Sequence, residues 1–319
     1  MRPDPELISN AAPQDYHLHY ALKQAPFGIE SDTALFVLSE GHEEALDKLY
    51  RGLLARKSLL LVTGAPGTGK TLLLQTLQTL GVERFDYLHL HPQDRHKTSL
   101  GNLLLRAVAS NEDGTEPSER NRLQTNRDLR NYLQKARTDG RRMVVVIDDA
   151  QELTDAQLHE LRQWSNLDDH NGTLLQFLLA GQRSLAERLN RHKHTNLKHR
   201  IGCRFNLPAL TLGETQRYIA HRCRLAGASR LLFERAVIIR IYSLTRGLPR
   251  LINTVADALL LQAFLRGGRS VEVEDVRLVS RDLDLRYAPI INRPENRPEA
   301  HSEALSNTRL ADDPEDAGQ

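Results

Sequence analysis

The chain has 319 residues, 40% of them hydrophobic and only 5% aromatic, with a formal net charge of +2 and two cysteines. That length suits two ordinary domains, and the Leu-rich, aromatic-poor apolar content favours a helix-rich globular protein over an all-β one. No apolar run reaches the roughly 18 residues that cross a bilayer, no charged-then-apolar leader opens the sequence, and Cys203 and Cys223 suit neither a disulfide framework nor a zinc site, so a reduced, cytoplasmic protein without direct membrane insertion is expected.

Residues 1–15 read as a flexible segment. From Tyr16 a short arm leads into a helix ending near Leu54, with Ala45, Leu46, Leu49, Leu53 and Leu54 at helical spacing. SLLLVTG (58–64) is a continuous apolar run ending in glycine, the pattern of a buried parallel strand. KTLLLQTLQTLG (70–81) reads as a helix, and the alternating DYLHLH (86–91) as a second strand. Helices are expected near 98–110 and 122–139, on either side of the polar stretch NEDGTEPSE. VVVI (144–147) is a third strand, and Thr154 with Gln157 forms a capping box opening a helix that runs to about Leu167. TLLQFLLAG (173–181) and CRFNL (203–207) supply two more strands.

After Pro208 no strand pattern recurs. Thr211 and Glu214 form a second capping box for a helix closing at Gly227, and helices follow near 231–245, 248–266 and 273–282. Strand–helix alternation followed by helices alone predicts a three-layer α/β/α parallel-sheet domain over 16–208 and a small all-helical lid over 209–285. Residues 294–319 hold seven acids and two arginines, so 286–319 is read as a disordered acidic tail. The remainder carries 41 Lys/Arg against 34 Asp/Glu, +7, a mild excess that decides no partner.

The chemistry is concentrated in two stretches. GAPGTGKT (64–71) matches the phosphate-binding loop G-x-x-x-x-G-K-[ST]. Gly64, Ala65, Pro66, Gly67, Thr68 and Gly69 form a loop whose backbone N–H groups can turn inward onto phosphate oxygens. The helix that begins with Lys70, Thr71 and Leu72 presents its positive end to the same anion. Lys70 reaches the β- and γ-phosphates, and the Thr71 hydroxyl ligates Mg²⁺. The second stretch is VVVIDDAQ (144–151). Asp148 ends a strand, where a carboxylate can face the metal. Asp149 is the base that would orient the attacking water, one methylene shorter than glutamate, with Glu152 as a substitute one turn on. The guanine-reading Asn-Lys-x-Asp stretch and the LSGGQ signature are both absent, which favours ATP and disfavours an ABC-type protein.

With APFGIESDTALFVLSEGHEEAL, LLLVTGAPGTGKT, VVVIDDAQEL, LLAGQRSL, LKHRI, LPALTLGETQRYIAHRCRLAG and GLPRLINTVADALLLQAF in this order, residues 20–283 resemble the ExeA/GspA-like AAA+ ATPases of secretion and pilus machinery. The resemblance implies that Gln182 is the sensor-1 residue near the γ-phosphate, that Arg250 in GLPR is the sensor-2 arginine of the lid, and that Arg200 is an arginine finger reaching a neighbouring subunit. It also places Pro26 and Phe27 in the arm that flanks the base. It implies a homo-oligomer with ATP and Mg²⁺ as cofactors and a protein partner in an envelope machine. The chain departs from the family where Asp149 replaces the usual glutamate, which predicts slow hydrolysis. It also carries neither the membrane span nor the peptidoglycan-binding part of general-secretion protein A.

Two other readings stay open. Transposition regulators of the MuB/TnsC type share this architecture and bind DNA, and the segment 183–204, with seven Lys/Arg, three His and one acid, could track phosphates. A nucleotide-binding scaffold with negligible turnover is the other, kept open by Asp149.

Overall fold

The computed structural model describes residues 16–28, 37–90, 99–104, 122–169 and 172–287, within one compact unit, Met1–Tyr287. The expected flexible N-terminal segment and acidic tail, and most of the helix expected over 98–110, lie outside these residues, although 100–104 are helical.

Five strands form a wholly parallel sheet: β1 (Leu59–Gly64), β2 (Phe85–Leu90), β3 (Arg142–Ile147), β6 (Leu175–Gly181) and β7 (Ile201–Leu207), in the order β2-β3-β6-β1-β7. A small antiparallel ladder, β4 (Asp168–Asp169) with β5 (Gly172–Thr173), precedes β6 and was not expected. Helices α1 (Tyr16–His19), α2 (Glu40–Leu54), α3 (Lys70–Gly81), α4 (Arg122–Thr138), α5 (Asp155–Trp164), α6 (Arg183–Leu189) and α7 (Thr195–Lys198) accompany the sheet in sequence. The helices α8 (Leu212–Leu225), α9 (Arg235–Thr245), α10 (Pro249–Leu265) and α11 (Val273–Asp282) follow it.

The layering follows from side-chain alternation along β1. Leu59 and Leu61 point to one face and pack with Leu129 and Leu133 of α4, Leu158 and Leu161 of α5 and Leu185 of α6. Leu60 and Val62 point to the other and pack with Leu49 and Leu53 of α2 and Leu73 and Leu77 of α3. Every residue of β1 is buried, as its unbroken apolar run requires of a strand covered on both faces. The chain is an α/β P-loop fold, a three-layer α/β/α sandwich followed by helices.

A third core belongs to those helices. It joins Tyr218, Ile219, Ile241, Ile252, Leu259 and Val276 with Tyr16, Tyr20, Leu22 and Phe27 of the N-terminal arm. The arm is tied down by polar contacts as well. The Tyr16 hydroxyl donates to Asp257, Tyr20 donates to the Leu260 carbonyl at 2.9 Å, and the Lys23 N–H donates to the Ala226 carbonyl at 2.8 Å. Both capping boxes, at Thr154 and Thr211, are present. The helix expected from 231 begins at Arg235, because Phe233 is held in an extended bridge with Val271 and Glu234 becomes the N-cap. Helix α5 stops at Trp164, three residues before Leu167.

Candidate nucleotide site

Strand order brings the motif residues together. In a parallel sheet every strand ends on one edge, and here β6 lies between β1 and β3. Gly64 at the end of β1, Asp148 just beyond β3 and Gln182 just beyond β6 therefore meet along that edge. This is the crevice where open α/β sheets bind ligands.

The loop after β1 takes a path that side chains obstruct. Gly67 and Gly69 have φ of 79° and 94°, in the left-handed region that glycine occupies at no steric cost. A Cβ at Gly67 would lie 2.7 Å from the Arg250 Cβ, and one at Gly69 would lie 2.8 Å from the His42 ring. Thr68 is buried, its hydroxyl donating to the Ala65 carbonyl at 2.9 Å, while Pro66 is exposed. Leu72 is partly buried in the first turn of α3.

Lys70 is 8% exposed and donates to the Gly64 and Ala65 carbonyls at 3.2 and 3.0 Å. Burial lowers its pKa from the usual lysine value, while the nearby charges of Asp148 and Asp149 act in the opposite direction. The Thr71 hydroxyl donates to Asp148 Oδ2 at 2.6 Å, and the other oxygen of Asp148 accepts the Asp149 N–H at 2.9 Å. These groups fit a polyphosphate carrying a hard divalent cation. The ammonium and the loop N–H groups suit anionic oxygens, and the hydroxyl and carboxylate are oxygen ligands of the kind Mg²⁺ takes.

Asp149 is exposed, with φ 50° and ψ 37°. Its carboxylate accepts the Gln151 amide at 3.0 Å. Glu152 is also exposed, and its N–H donates to the Asp149 carbonyl at 2.9 Å. Gln182 caps α6, and its own N–H donates to Gln151 Oε1 at 3.0 Å. Arg250 is exposed in the first turn of α10, and its N–H donates to the Gly67 carbonyl at 3.2 Å, so the helical part touches the phosphate loop directly.

Three expected residues stand apart from this group. Arg200 precedes Ile201, which pairs with Leu59, while Leu207 pairs with Gly64. Arg200 therefore sits at the opposite edge of the sheet, some six strand residues or roughly 20 Å from its own phosphate loop. Phe27 is fully buried, edge-on to Phe233 at 5.7 Å, and the Pro26 carbonyl accepts Arg222 Nε at 2.6 Å, so this arm is part of the helical core.

Sequence reasoning missed His42 and Gln151. His42 is 2% exposed beneath the loop, its Nε2 on the Thr68 carbonyl at 3.0 Å and its Nδ1 on the Ser39 hydroxyl at 2.7 Å. Burial lowers its pKa, opposed by its bond to Thr68 and by the charge of Glu214. The capping box it completes at Ser39 escaped notice because histidine stands where glutamate or glutamine is usual.

In the basic segment, Leu185, Leu189 and Leu197 are buried in the sheet core. Arg188, Lys193 and His194 converge on Asp155 at 3.3, 2.5 and 3.1 Å, and the bond from Lys193 first, then that from His194 and the Lys193 and Arg188 charges, hold its pKa down to about 2 against a smaller opposing effect of burial. Arg191, Lys198, His199 and Arg200 are exposed.

The AAA domain family matches residues 54–189. General secretion pathway protein A of Aeromonas hydrophila is 32% identical over 270 residues, which is 84% of this chain and 48% of that protein. The chain carries an AAA domain and is related to the ExeA/GspA-like AAA+ proteins over most of its length. It spans about half the length of that curated relative. The fold is shared with Aeropyrum pernix ORC2 solved as ADPNP–ADP complexes, with a TM-score of 0.57 and 17% identity over 80% of this chain and 71% of that one. It is shared also with Cdc6p from Pyrobaculum aerophilum, at 0.56 and 17% over 79% and 71%. The Thermotoga maritima RuvB Holliday junction branch migration motor is a third, at 0.53 and 16% over 82% and 74%. No helix among the described residues is long and apolar enough to cross a membrane.

Proposed function

We propose that this protein is a cytoplasmic, oligomeric ATPase that binds ATP with Mg²⁺, hydrolyses it slowly, and uses the cycle to drive or regulate assembly of a secretion- or pilus-type envelope machine. The observation that carries the reading is the 2.6 Å contact between Thr71 and Asp148 beside a buried Lys70, with the exposed Asp149 as the adjoining residue. Mg²⁺, when bound, would supply positive charge to offset that on the phosphate being transferred.

The chain's own residues do the rest. The loop N–H groups and Lys70 would hold the phosphates, and Thr71 with Asp148 would hold the metal. Asp149 orients a water for in-line attack on the γ-phosphorus and accepts its proton as the bond to the β–γ bridging oxygen breaks, leaving ADP and phosphate. Gln182 steers the γ-phosphate, and Arg250 carries its contact into the lid. Arg200 is too far from its own site to act there, so its target is the site of a second copy. The short arm of Asp149 is the reason for slow turnover, since positioning dominates phosphoryl transfer. Relatedness to a general secretion pathway protein supports the envelope assignment.

The DNA-dependent alternative rests on Arg191, Lys198 and Arg200. It is weakened because Arg188 and Lys193 are already drawn to Asp155.

Lys70→Ala tests the site. Calorimetry should find tight Mg-ATP binding in the wild type and none in the folded variant. Unchanged affinity in the variant would remove the assignment.

A further inference from the structure

We propose that Gln151 is a positioning residue that locks the Asp149 carboxylate to the end of β6, so that water orientation and γ-phosphate sensing move as one unit. This rests on the reading of Asp149 as the group that orients the attacking water.

Chemistry fixes which way the Gln151 amide points. The Gln182 main-chain N–H can only donate, so the atom 3.0 Å from it is the amide oxygen. The amide nitrogen therefore faces Asp149, 3.0 Å from Oδ1, and can only donate to it. One side chain thus bridges the turn after β3 and the end of the neighbouring strand β6, and neither bond can reverse.

Asp149 needs such a partner. It is exposed, its backbone is left-handed, and among the described residues Gln151 is the side-chain partner of its carboxylate. A free carboxylate there would sweep several rotamers, of which few face a bound γ-phosphate. The bridge is itself braced. The Gln151 carbonyl accepts Arg188 Nη1 at 3.1 Å, and the Leu153 carbonyl accepts Arg188 Nη2. Gly181 leaves room for the approach, since a Cβ there would come 3.0 Å from Gln151 Oε1 and 3.4 Å from its N.

No near-isostere reproduces the pair of bonds. Glutamate keeps the acceptor but sets a second carboxylate against Asp149. Methionine fills the space and makes neither bond. Asparagine is a methylene too short to span both partners.

The test uses the full chain with Mg-ATP, comparing wild type, Gln151→Met, Gln151→Glu and Asp149→Asn. Thermal melting checks folding, calorimetry gives ATP affinity, and single-turnover phosphate release gives the chemical step. We expect affinity within about threefold of wild type in both Gln151 variants and release slowed roughly 10- to 100-fold, the scale of a misplacement near 1 Å. Gln151→Glu should also move the acid limb of the pH–rate profile to higher pH, because paired carboxylates resist joint ionisation. A bond that only stabilised the fold would leave that limb where it is. Should Gln151→Met fail to fold, Gln151→Glu and its pH profile decide. The inference is overturned if Asp149→Asn abolishes release while both Gln151 variants keep the wild-type rate and pH profile, and the ATPase reading then stands. It is overturned also if the Gln151 variants lose ATP affinity in proportion to rate. Absence of release from the wild type overturns the ATPase reading and this inference together.

Discussion

Asp149 and His42 show what one residue contributes and how much of it a sequence reveals. The motif spacing identified Asp149, but its shortness looked like a defect against the family's glutamate. Its φ of 50° supplies a physical reason for the substitution. Aspartate and asparagine enter the left-handed region more readily than longer side chains. Gln151 was illegible for the opposite reason, because its importance lies in a bond to residue 182 that spacing along the chain cannot display. His42 hides a further dependence. Its Nε2 faces a carbonyl, so in the neutral ring Nδ1 is left to accept the Ser39 hydroxyl. A second proton on Nδ1 would face the Ser39 N–H at 3.4 Å and oblige the Ser39 hydroxyl to turn from donor to acceptor. Burial is the main cause of the lowered pKa. A histidine whose folded pKa lies below its unfolded value of 6.5 contributes fully above that value and loses its contribution as pH falls through the folded one. The melting temperature should therefore drop between pH 7.5 and 5.5 more steeply in the wild type than in His42→Gln. The glutamine can still donate to Thr68 without gaining charge. Parallel decline of the two proteins would show that His42 titrates alike in the folded and unfolded chains, so that burial does not hold it neutral.

Among the elements, the strands of the sheet and most helices were legible because buried parallel strands and amphipathic helices carry different periods. The errors were local and physical. Leu231, Leu232 and Phe233 look like a helix start, yet Phe233 is used for a bridge to Val271. The arm around Tyr16–Phe27 has too little periodicity to announce its burial, and its partners lie some two hundred residues away. The junction of phosphate loop and lid is the element most exposed to test. Gly67 meets α10 through its carbonyl and through the close approach of Arg250. Gly67→Ala adds a methyl 2.7 Å from the Arg250 Cβ and forces alanine to φ near 79°. Strain of about 1–3 kcal/mol is the usual cost of such a backbone. Part of it should be relieved by tilting α10 away from the loop. ATP affinity is expected to fall tenfold or more by calorimetry, with a melting temperature several degrees lower. An unchanged affinity would mean that the lid contact does not shape the binding site.

For the molecule as a whole, one edge of the sheet gathers Lys70, Thr71, Asp148, Asp149 and Gln182, while Arg200 marks the other. Alternation of strands and helices made that architecture readable from the sequence, and the motif spacing made the first edge readable. The role proposed for Arg200 rests only on a family resemblance, because no spacing along one chain can specify a contact between two. An arginine roughly 20 Å from its own phosphate loop could serve hydrolysis only in a neighbour's site, where such groups contribute about 10³-fold or more. The direct measurement is phosphate release from Mg-ATP by wild type, by Arg200→Ala, by Lys70→Ala, and by a mixture of the two variants. The account predicts slow release by the wild type and a large loss in each variant, with ATP affinity kept in Arg200→Ala. Partial recovery is expected in the mixture, where an intact arginine of one chain can face an intact phosphate loop of another. No release from the wild type, or full activity in Arg200→Ala, would contradict it.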